Sequence, residues 1–169
     1  PQLIIAGAGS GKTKVLTCRI ANILEQGHSA SSILALTFTN KASKEMKERI
    51  AQLIGFDKSK RLVMGTFHSV FARFLREEIH HIGYTRAFTI VDEDDQSKII
   101  KDIMKELELT DEVKPKQCVS FISYMKSLNI SCDELAKRNT LTEEEKIKSK
   151  IYLKYEEFLQ TNQYLDFDD

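Results

Sequence analysis

A glycine-rich segment near the start of the chain constrains the fold more than any other feature of the sequence. It follows the short apolar run at residues 3–6 and precedes a helical pattern that ends at Gly27. Three of the seven glycines fall within five positions, directly before Lys12 and Thr13. Glycines permit positive φ angles and let backbone amides face an anion. A segment of this kind between a strand and a helix is typical of a phosphate-binding loop.

The loop departs from the general pattern G-x-x-x-x-G-K-[ST] only at Ala6, where the pattern has glycine. An ordinary tight turn is the alternative, but a turn does not need Lys and Thr after its last glycine. In a phosphate loop, Lys12 contacts the β and γ phosphates and the Thr13 hydroxyl ligates Mg²⁺. The free amides at the start of the following helix also favour negative charge. We therefore expect a bound nucleotide with Mg²⁺.

Composition is typical of a soluble globular protein, with 41% hydrophobic and 30% charged residues in 169. No apolar run approaches the roughly 20 residues of a membrane span, and we expect no membrane partner. Three widely spaced cysteines match neither a disulfide framework nor a zinc site. A reducing, cytoplasmic location fits best. The start at Pro1 and the end at Asp169 suggest a piece of a longer protein.

The formal net charge of zero conceals two halves of opposite sign. Residues 1–91 hold 13 Lys and Arg against 6 Asp and Glu, and residues 92–169 hold 12 against 19. A neutral total argues against a polyanion partner, but the basic first half is where such a partner would bind.

Strand and helix patterns alternate up to residue 91. Residues 33–38 and 62–67 are expected to form buried strands, and residues 88–91 a weaker one. This alternation predicts an α/β fold with a parallel sheet covered by helices. From residue 93 to 163 only helical periodicity is present, with capping-box spacing at Ser131 and Thr142. We interpret this part as an acidic helical subdomain.

Polar residues follow two of these strands, at residues 37–42 and 65–69. In an open α/β sheet, ligands bind beyond the carboxyl ends of the strands, so both segments and the loop are expected at one rim. An aromatic ring beside hydroxyl, amide and imidazole groups suits single-stranded nucleic acid. On composition alone, the simpler alternative is favoured: Phe38 and Phe67 would be core residues, and the polar groups would cap helices.

The order of these segments resembles the first motifs of the UvrD/Rep/PcrA-type superfamily-one DNA helicases. The matching segments are residues 6–13, residues 37–42 with 45–49, and residues 66–69 with Arg73. The closing residues 164–169 resemble the stretch that precedes the acidic hydrolysis motif of this family, in which alanine at position 6 is usual. The resemblance covers the whole chain and is strongest up to about Phe74.

The resemblance implies a P-loop, RecA-like parallel sheet with flanking helices, interrupted by an all-α inserted subdomain. Residues 1–91 would be part of the ATP-binding motor domain, residues 92–163 the insertion, and residues 164–169 the return towards the motor domain. The cofactors would be ATP and Mg²⁺, with Lys12 as a catalytic residue, Thr13 as a metal ligand and the general base outside the chain. The nucleotide would be bound by Ala6, Gly7, Ala8, Gly9, Ser10, Gly11, Lys12, Thr13 and Lys14.

The resemblance also implies DNA as a partner. Single-stranded DNA would lie along Phe38, Thr39, Asn40, Lys41, Thr66 and His68. The helical insertion would engage a duplex junction, and the remaining motor domain of the same protein would complete a 3′ to 5′ motor. Lys14 stands where many members have an arginine near the adenine, and lysine stacks less well. We expect the 169-residue piece to bind nucleotide weakly at best and not to unwind DNA.

Two acidic segments could be mistaken for the hydrolysis motif. Asp92 and Glu93 follow an apolar run, as the Mg²⁺-binding acids of helicases do, but we interpret Asp92 as a helix N-cap. Asp166, Asp168 and Asp169 are expected to be helix-start and solvent residues.

The alternative function is a phosphate-loop kinase or small-molecule ATPase that does not act on DNA. Within the family, a helicase-nuclease subunit stays open.

Overall fold

The structure, a computed structural model, describes residues 2–138 and 140–169. Pro1 and Asn139, which belong to the predicted domains 1–91 and 92–163, lie outside the described residues.

The chain divides into two compact units, between Leu75 and Arg76. This division falls inside a helix and precedes the boundary that the sequence suggests after residue 91. The assignment of motor domain and insertion stays a prediction.

The first unit combines helices with two parallel strands. It contains helix α1 (Lys12–Glu25), a 3-10 helix (Ala30–Ser32), strand β1 (Leu34–Thr37), helices α2 (Asn40–Ile54) and α3 (Phe56–Ser59), strand β2 (Val63–Thr66) and the start of helix α4 (Phe67–Glu78). Strands β1 and β2 pair from Leu34 opposite Val63 to Thr37 opposite Thr66. Parallel strands within the predicted residues 33–38 and 62–67 are confirmed, but each strand is one residue shorter than predicted at both ends. The buried core consists of Ile20, Ala30, Ala35, Met46, Ile50 and Leu62.

The apolar run before the loop does not form the expected strand. Residues 2–7 have no regular secondary structure, and Leu3 and Ile5 are 85% and 88% exposed. A strand needs a neighbour for its backbone N–H and C=O groups. Among the described residues, β1 and β2 pair only with each other. The prediction of a strand at residues 3–6 is therefore wrong for this structure.

The second unit is mainly helical. After the end of α4 it contains a 3-10 helix (Ile79–Ile82), strand β3 (Thr89–Ile90), helices α5 (Glu93–Glu106), α6 (Pro115–Ser127), α7 (Cys132–Ala136) and α8 (Glu143–Asn162), and strand β4 (Tyr164–Leu165). The short strands β3 and β4 pair in parallel, with Thr89 opposite Tyr164. The core between the helices includes Ile100, Cys118, Ile122, Leu135, Ile151, Tyr155 and Leu159. None of the helices in the described residues is long and apolar enough to span a bilayer.

The predicted helix starts are confirmed by their hydrogen bonds. The Ser131 and Thr142 hydroxyls accept from the backbone N–H groups three residues later, at 3.2 and 3.3 Å. Asp92 Oδ1 accepts from the Asp95 N–H at 2.9 Å, which confirms Asp92 as the N-cap of α5. Asp92 and Glu93 therefore begin a helix.

Helix α4 starts directly after strand β2, and this close approach depends on Gly65. A Cβ atom on Gly65 would lie 2.6 Å from Ser69 Oγ and 2.8 Å from Val70 Cγ2. The same Ser69 hydroxyl accepts from the Thr66 N–H at 3.0 Å. The missing side chain at position 65 thus allows strand and helix to join without a linker.

We expect Gly65→Ala to lower the free energy of unfolding by about 1–3 kcal/mol, because the added methyl group forces α4 away from β2. Urea unfolding measures this difference. Gly7→Ala is the matched control, since nothing lies within 4 Å of a Cβ atom there and the φ angle of Gly7 is not positive. An equal loss in both variants would contradict the steric explanation.

Candidate functional site

The glycine-rich loop adopts a conformation that requires its glycines. Gly9 and Gly11 have φ angles of +74° and +85°, in the left-handed region that L-residues with side chains rarely adopt. Gly11 is the N-cap of α1, and the helix begins with Lys12. Residues 7–14 are exposed, and Ala6 is half-buried. The loop is therefore open to a ligand along its length.

Lys12 folds back over the loop. Its ammonium group donates to the carbonyl oxygens of Ala6 at 3.1 Å and Gly7 at 2.6 Å. The Ser10 hydroxyl also donates to the Gly7 carbonyl, at 2.7 Å. These bonds hold a positive charge at the mouth of the loop.

The start of α1 fits an anion. No side chain caps it by a hydrogen bond, and its first turn contains no acidic residue. Uncapped amides, the positive end of the helix dipole and the Lys12 ammonium together suit a phosphate group. Ala8 and Lys14 flank this position, and the adenine contact expected of Lys14 and the role of Ala8 stay predictions.

Thr13 offers one oxygen for a metal ion, in the first turn of α1. Across residues 2–138 and 140–169, no group of three or more His, Cys, Asp or Glu residues could hold a metal. A Mg²⁺ ion at Thr13 would therefore need oxygen ligands from the nucleotide and from water. The metal role of Thr13 stays a prediction.

The parallel register brings two of the predicted segments together. Thr37 and Thr66 are paired at the carboxyl ends of β1 and β2, so the next residue of each strand leaves at the same level. The rings of Phe38 and Phe67 lie with centroids 5.8 Å apart. Phe38 is 92% exposed and Phe67 44% exposed. The alternative that these rings belong to the core is wrong.

The same alternative expected the polar groups after the strands to cap helices, and this is correct for the hydroxyls of Thr39 and Thr66. Thr39 Oγ1 accepts from the Ala42 N–H at 3.2 Å and caps α2. Thr66 Oγ1 accepts from the Ser69 N–H at 3.3 Å. The neighbouring Asn40, Lys41 and His68 are exposed. The two strand ends thus present a ring pair, with exposed donors at the starts of α2 and α4.

Sequence comparisons agree with these features. The family described as the UvrD/REP helicase N-terminal domain matches residues 1–169. The chain belongs to this family. It is 42% identical to the ATP-dependent DNA helicase PcrA of Staphylococcus aureus over 172 residues, and 43% identical to a probable DNA helicase II homolog of Rickettsia felis over 173 residues. Both alignments include the whole chain but only 23% and 26% of the relatives' lengths.

The closing segment of this helicase-family chain contains a polar cluster that the sequence interpretation missed. Asp166 Oδ1 accepts from the N–H groups of Asp168 and Asp169, both at 3.0 Å, and Asp169 Oδ2 accepts from the Asp166 N–H at 2.9 Å. These reciprocal bonds have the pattern of a capping box, but residues 166–169 form no helix in the structure, so the helix start stays a prediction. The expectation of a solvent position is wrong for Asp166, whose side chain is 3% exposed.

Lys126 of α6 lies at the centre of this cluster, with its side chain 6% exposed. Its Nζ atom is 2.9 Å from a Glu156 oxygen, 2.9 Å from Asp166 Oδ2 and 2.6 Å from Asp169 Oδ1. Asp166 Oδ2 also accepts from the Tyr155 hydroxyl at 3.0 Å. One signal was available in the sequence, because Lys126 is the lone charged residue in residues 118–130.

The cluster shifts the pKa values of its members in opposite directions. Burial raises the pKa of Glu156, and nearby Lys126 only partly opposes this effect. Burial acts to raise the pKa of Asp166 as well, but the Lys126 ammonium and several hydrogen bonds outweigh it and lower the pKa. Burial acts to lower the pKa of Lys126, yet its three carboxylate partners hold the pKa above its usual value. Burial also raises the pKa of Asp169, so the cluster accommodates Glu156 and Asp169 less well in their ionised forms than Asp166.

We expect Glu156→Gln to change stability in a pH-dependent way. Above the usual pKa of 4.5, the folded chain holds the Glu156 proton more tightly than the unfolded chain, so ionisation of this group lowers stability as pH rises. Glutamine removes this titration. Relative to the wild type, the variant should gain free energy of unfolding between pH 4 and pH 7, as measured by urea unfolding.

The control is Glu157→Gln on the same helix, where the carboxylate is 52% exposed and pairs with Lys154 at 2.7 Å. We expect a smaller gain there than at position 156. A relative stability of Glu156→Gln that falls between pH 4 and pH 7 would contradict the assigned direction.

Proposed function

We propose that this chain is the nucleotide-binding part of an ATP-dependent DNA helicase, and that it also carries part of the surface for single-stranded DNA. The observation that carries the proposal is the exposed Phe38–Phe67 ring pair beside parallel strand ends, in a chain whose loop presents Lys12. The relatives that the chain matches are named as DNA helicases. Because the chain spans about a quarter of those relatives, activity belongs to the full-length protein.

In this proposal the loop binds the phosphates of ATP. The amides of residues 7–13 face the phosphates, Lys12 leaves its carbonyl partners for the β and γ phosphates, and Thr13 ligates Mg²⁺. Ala6 and Lys14 flank the nucleotide at the two ends of the loop. Lys12 is the catalytic residue, because its charge stabilises the transferring phosphoryl group.

Single-stranded DNA binds across the two strand ends. Bases stack on Phe38, while exposed polar groups contact the backbone phosphates. The proposed contacts come from Phe38, Thr39, Asn40, Lys41, Thr66 and His68. The positive balance of residues 1–91 favours this partner. A small-molecule kinase or ATPase would have no use for an exposed ring pair at this edge, which makes that alternative less favoured.

Family membership also supports a proposal for the larger architecture. We infer that residues 1–91 are part of a RecA-like motor domain, that residues 92–163 are an all-α insertion that engages the duplex junction, and that residues 164–169 lead back to the motor. The remaining motor domain of the same protein would supply the general base and complete 3′ to 5′ movement. A cytoplasmic location fits this role, and the chain alone is expected to be inactive.

The first test is Lys12→Ala in the full-length protein. We expect DNA-stimulated ATP hydrolysis to fall by a factor of about 100 or more, because transition-state charge loses its partner. Binding of single-stranded DNA, measured by fluorescence anisotropy without nucleotide, should stay within about twofold. Lys101→Ala, at an exposed position of α5, is the control. Full ATPase activity in Lys12→Ala would refute the assignment of the loop.

The second test is Phe38→Ala in the full-length protein. Loss of one stacked base should weaken binding of single-stranded DNA by about 5- to 150-fold, which corresponds to roughly 1–3 kcal/mol. Stability should change by less than about 0.5 kcal/mol, because the ring is exposed.

The matched control for this test is Phe56→Ala. Phe56 is also exposed, at 65%, and Lys60 lies over its ring at 4.4 Å, but it stands between α2 and the start of β2. Equal loss of DNA affinity in both variants would show that the two strand ends have no special role. Basal ATP hydrolysis without DNA should be unchanged in both.

A further inference from the structure

Lys126 connects the closing segment of the chain to the helices of the second unit. Its ammonium group contacts Glu156 on α8 and both Asp166 and Asp169 beyond β4. Gln96 of α5 donates to the same Asp166 oxygen, at 3.2 Å. One buried cation thus joins elements that are 30 to 43 positions apart in the sequence.

Asp166 and Asp169 each use their two carboxylate oxygens for different partners. Asp166 uses Oδ1 to cap the turn that follows and Oδ2 to contact Lys126, Tyr155 and Gln96. Asp169 likewise uses one oxygen for the Asp166 N–H and the other for Lys126. The two carboxylates that close the capping box are therefore the same two that bind the buried lysine.

The attachment of residues 166–169 depends on the positive charge of Lys126. Three carboxylates converge on one ammonium group, and the side chains of Lys126 and Asp166 are 6% and 3% exposed. A buried carboxylate without its cation is strongly destabilised. Removal of the lysine would leave the three acids to repel one another at the point where the segment is held.

We propose that Lys126 is a positioning residue that anchors residues 166–169 to helices α6 and α8, and thereby fixes the hydrogen-bonded turn that these residues form. In the full-length protein this anchor would set the place and direction in which the chain continues after the helical unit. The inference does not depend on the proposed function, because it concerns only the contacts of the second unit.

The test is hydrogen–deuterium exchange of the full-length protein, followed on peptides that contain residues 164–169. Lys126→Met keeps most of the side-chain volume and removes the charge. We expect the amides of Asp168 and Asp169 to exchange at least about tenfold faster, while the middle of α5 is unchanged. Lys105→Met is the control, since Lys105 is 69% exposed and its ammonium group lies 2.9 Å from a carboxylate oxygen of Asp102.

A charge-specific rescue separates an anchor from a merely structural residue. In the Lys126→Met background, Glu156→Gln removes one of the three unpaired carboxylates and should restore part of the lost protection. Unchanged exchange of residues 164–169 in Lys126→Met, equal acceleration throughout the helical unit, or no rescue by Glu156→Gln would overturn the proposal.

A milder variant keeps the test decisive if Lys126→Met does not fold. Asp169→Asn retains an oxygen for the Asp166 N–H but removes one charge partner of Lys126. We expect about two- to fivefold faster exchange, limited to residues 166–169. No acceleration in this variant would also overturn the proposal.

Discussion

The in-register parallel pairing of β1 and β2 is the constraint on which the candidate DNA surface depends. Because Thr37 lies opposite Thr66, the residues after the two strands begin at the same level of the sheet edge. Two rings from distant parts of the sequence can then meet at 5.8 Å. The absence of a side chain at Gly65 lets α4 begin at once after β2, which keeps Phe67 at that edge. The exposed ring pair of Phe38 and Phe67 therefore depends on the buried Gly65, because a larger residue at position 65 would clash with α4.

In the second unit, the polar residues 166–169 lie against helices whose shared core is apolar. Its core is made of aliphatic and aromatic side chains, and Tyr155 belongs both to that core and to the cluster around Asp166. A buried carboxylate is tolerated there because an ammonium group, a phenol and an amide all donate to it. These hydrogen bonds hold Asp166 in place directly after β4.

The parts of the fold that local signals encode could be predicted from the sequence. Capping residues such as Asp92, Ser131 and Thr142 act within one helical turn, and the glycines of the loop act through their own φ angles. The strand at residues 3–6 could not be judged in this way, because a strand exists only with a neighbour. The cluster around Lys126 was missed for a related reason. Its three carboxylate partners lie on α8 and beyond β4, far from Lys126 in the sequence, so no local sequence pattern indicates the pairing.

The fold-back of Lys12 has a consequence for ligand discrimination. In the described conformation the Lys12 ammonium group donates hydrogen bonds to the backbone carbonyl oxygens of Ala6 and Gly7. Any ligand that engages this lysine must offer an acceptor at least as good as two backbone oxygens, and a negatively charged phosphate does so. A nucleoside or monophosphate that does not reach Lys12 leaves both internal bonds intact and gains nothing from the charge. Under the proposed function, the folded-back Lys12 would therefore favour ligands with longer polyphosphate chains over shorter ones.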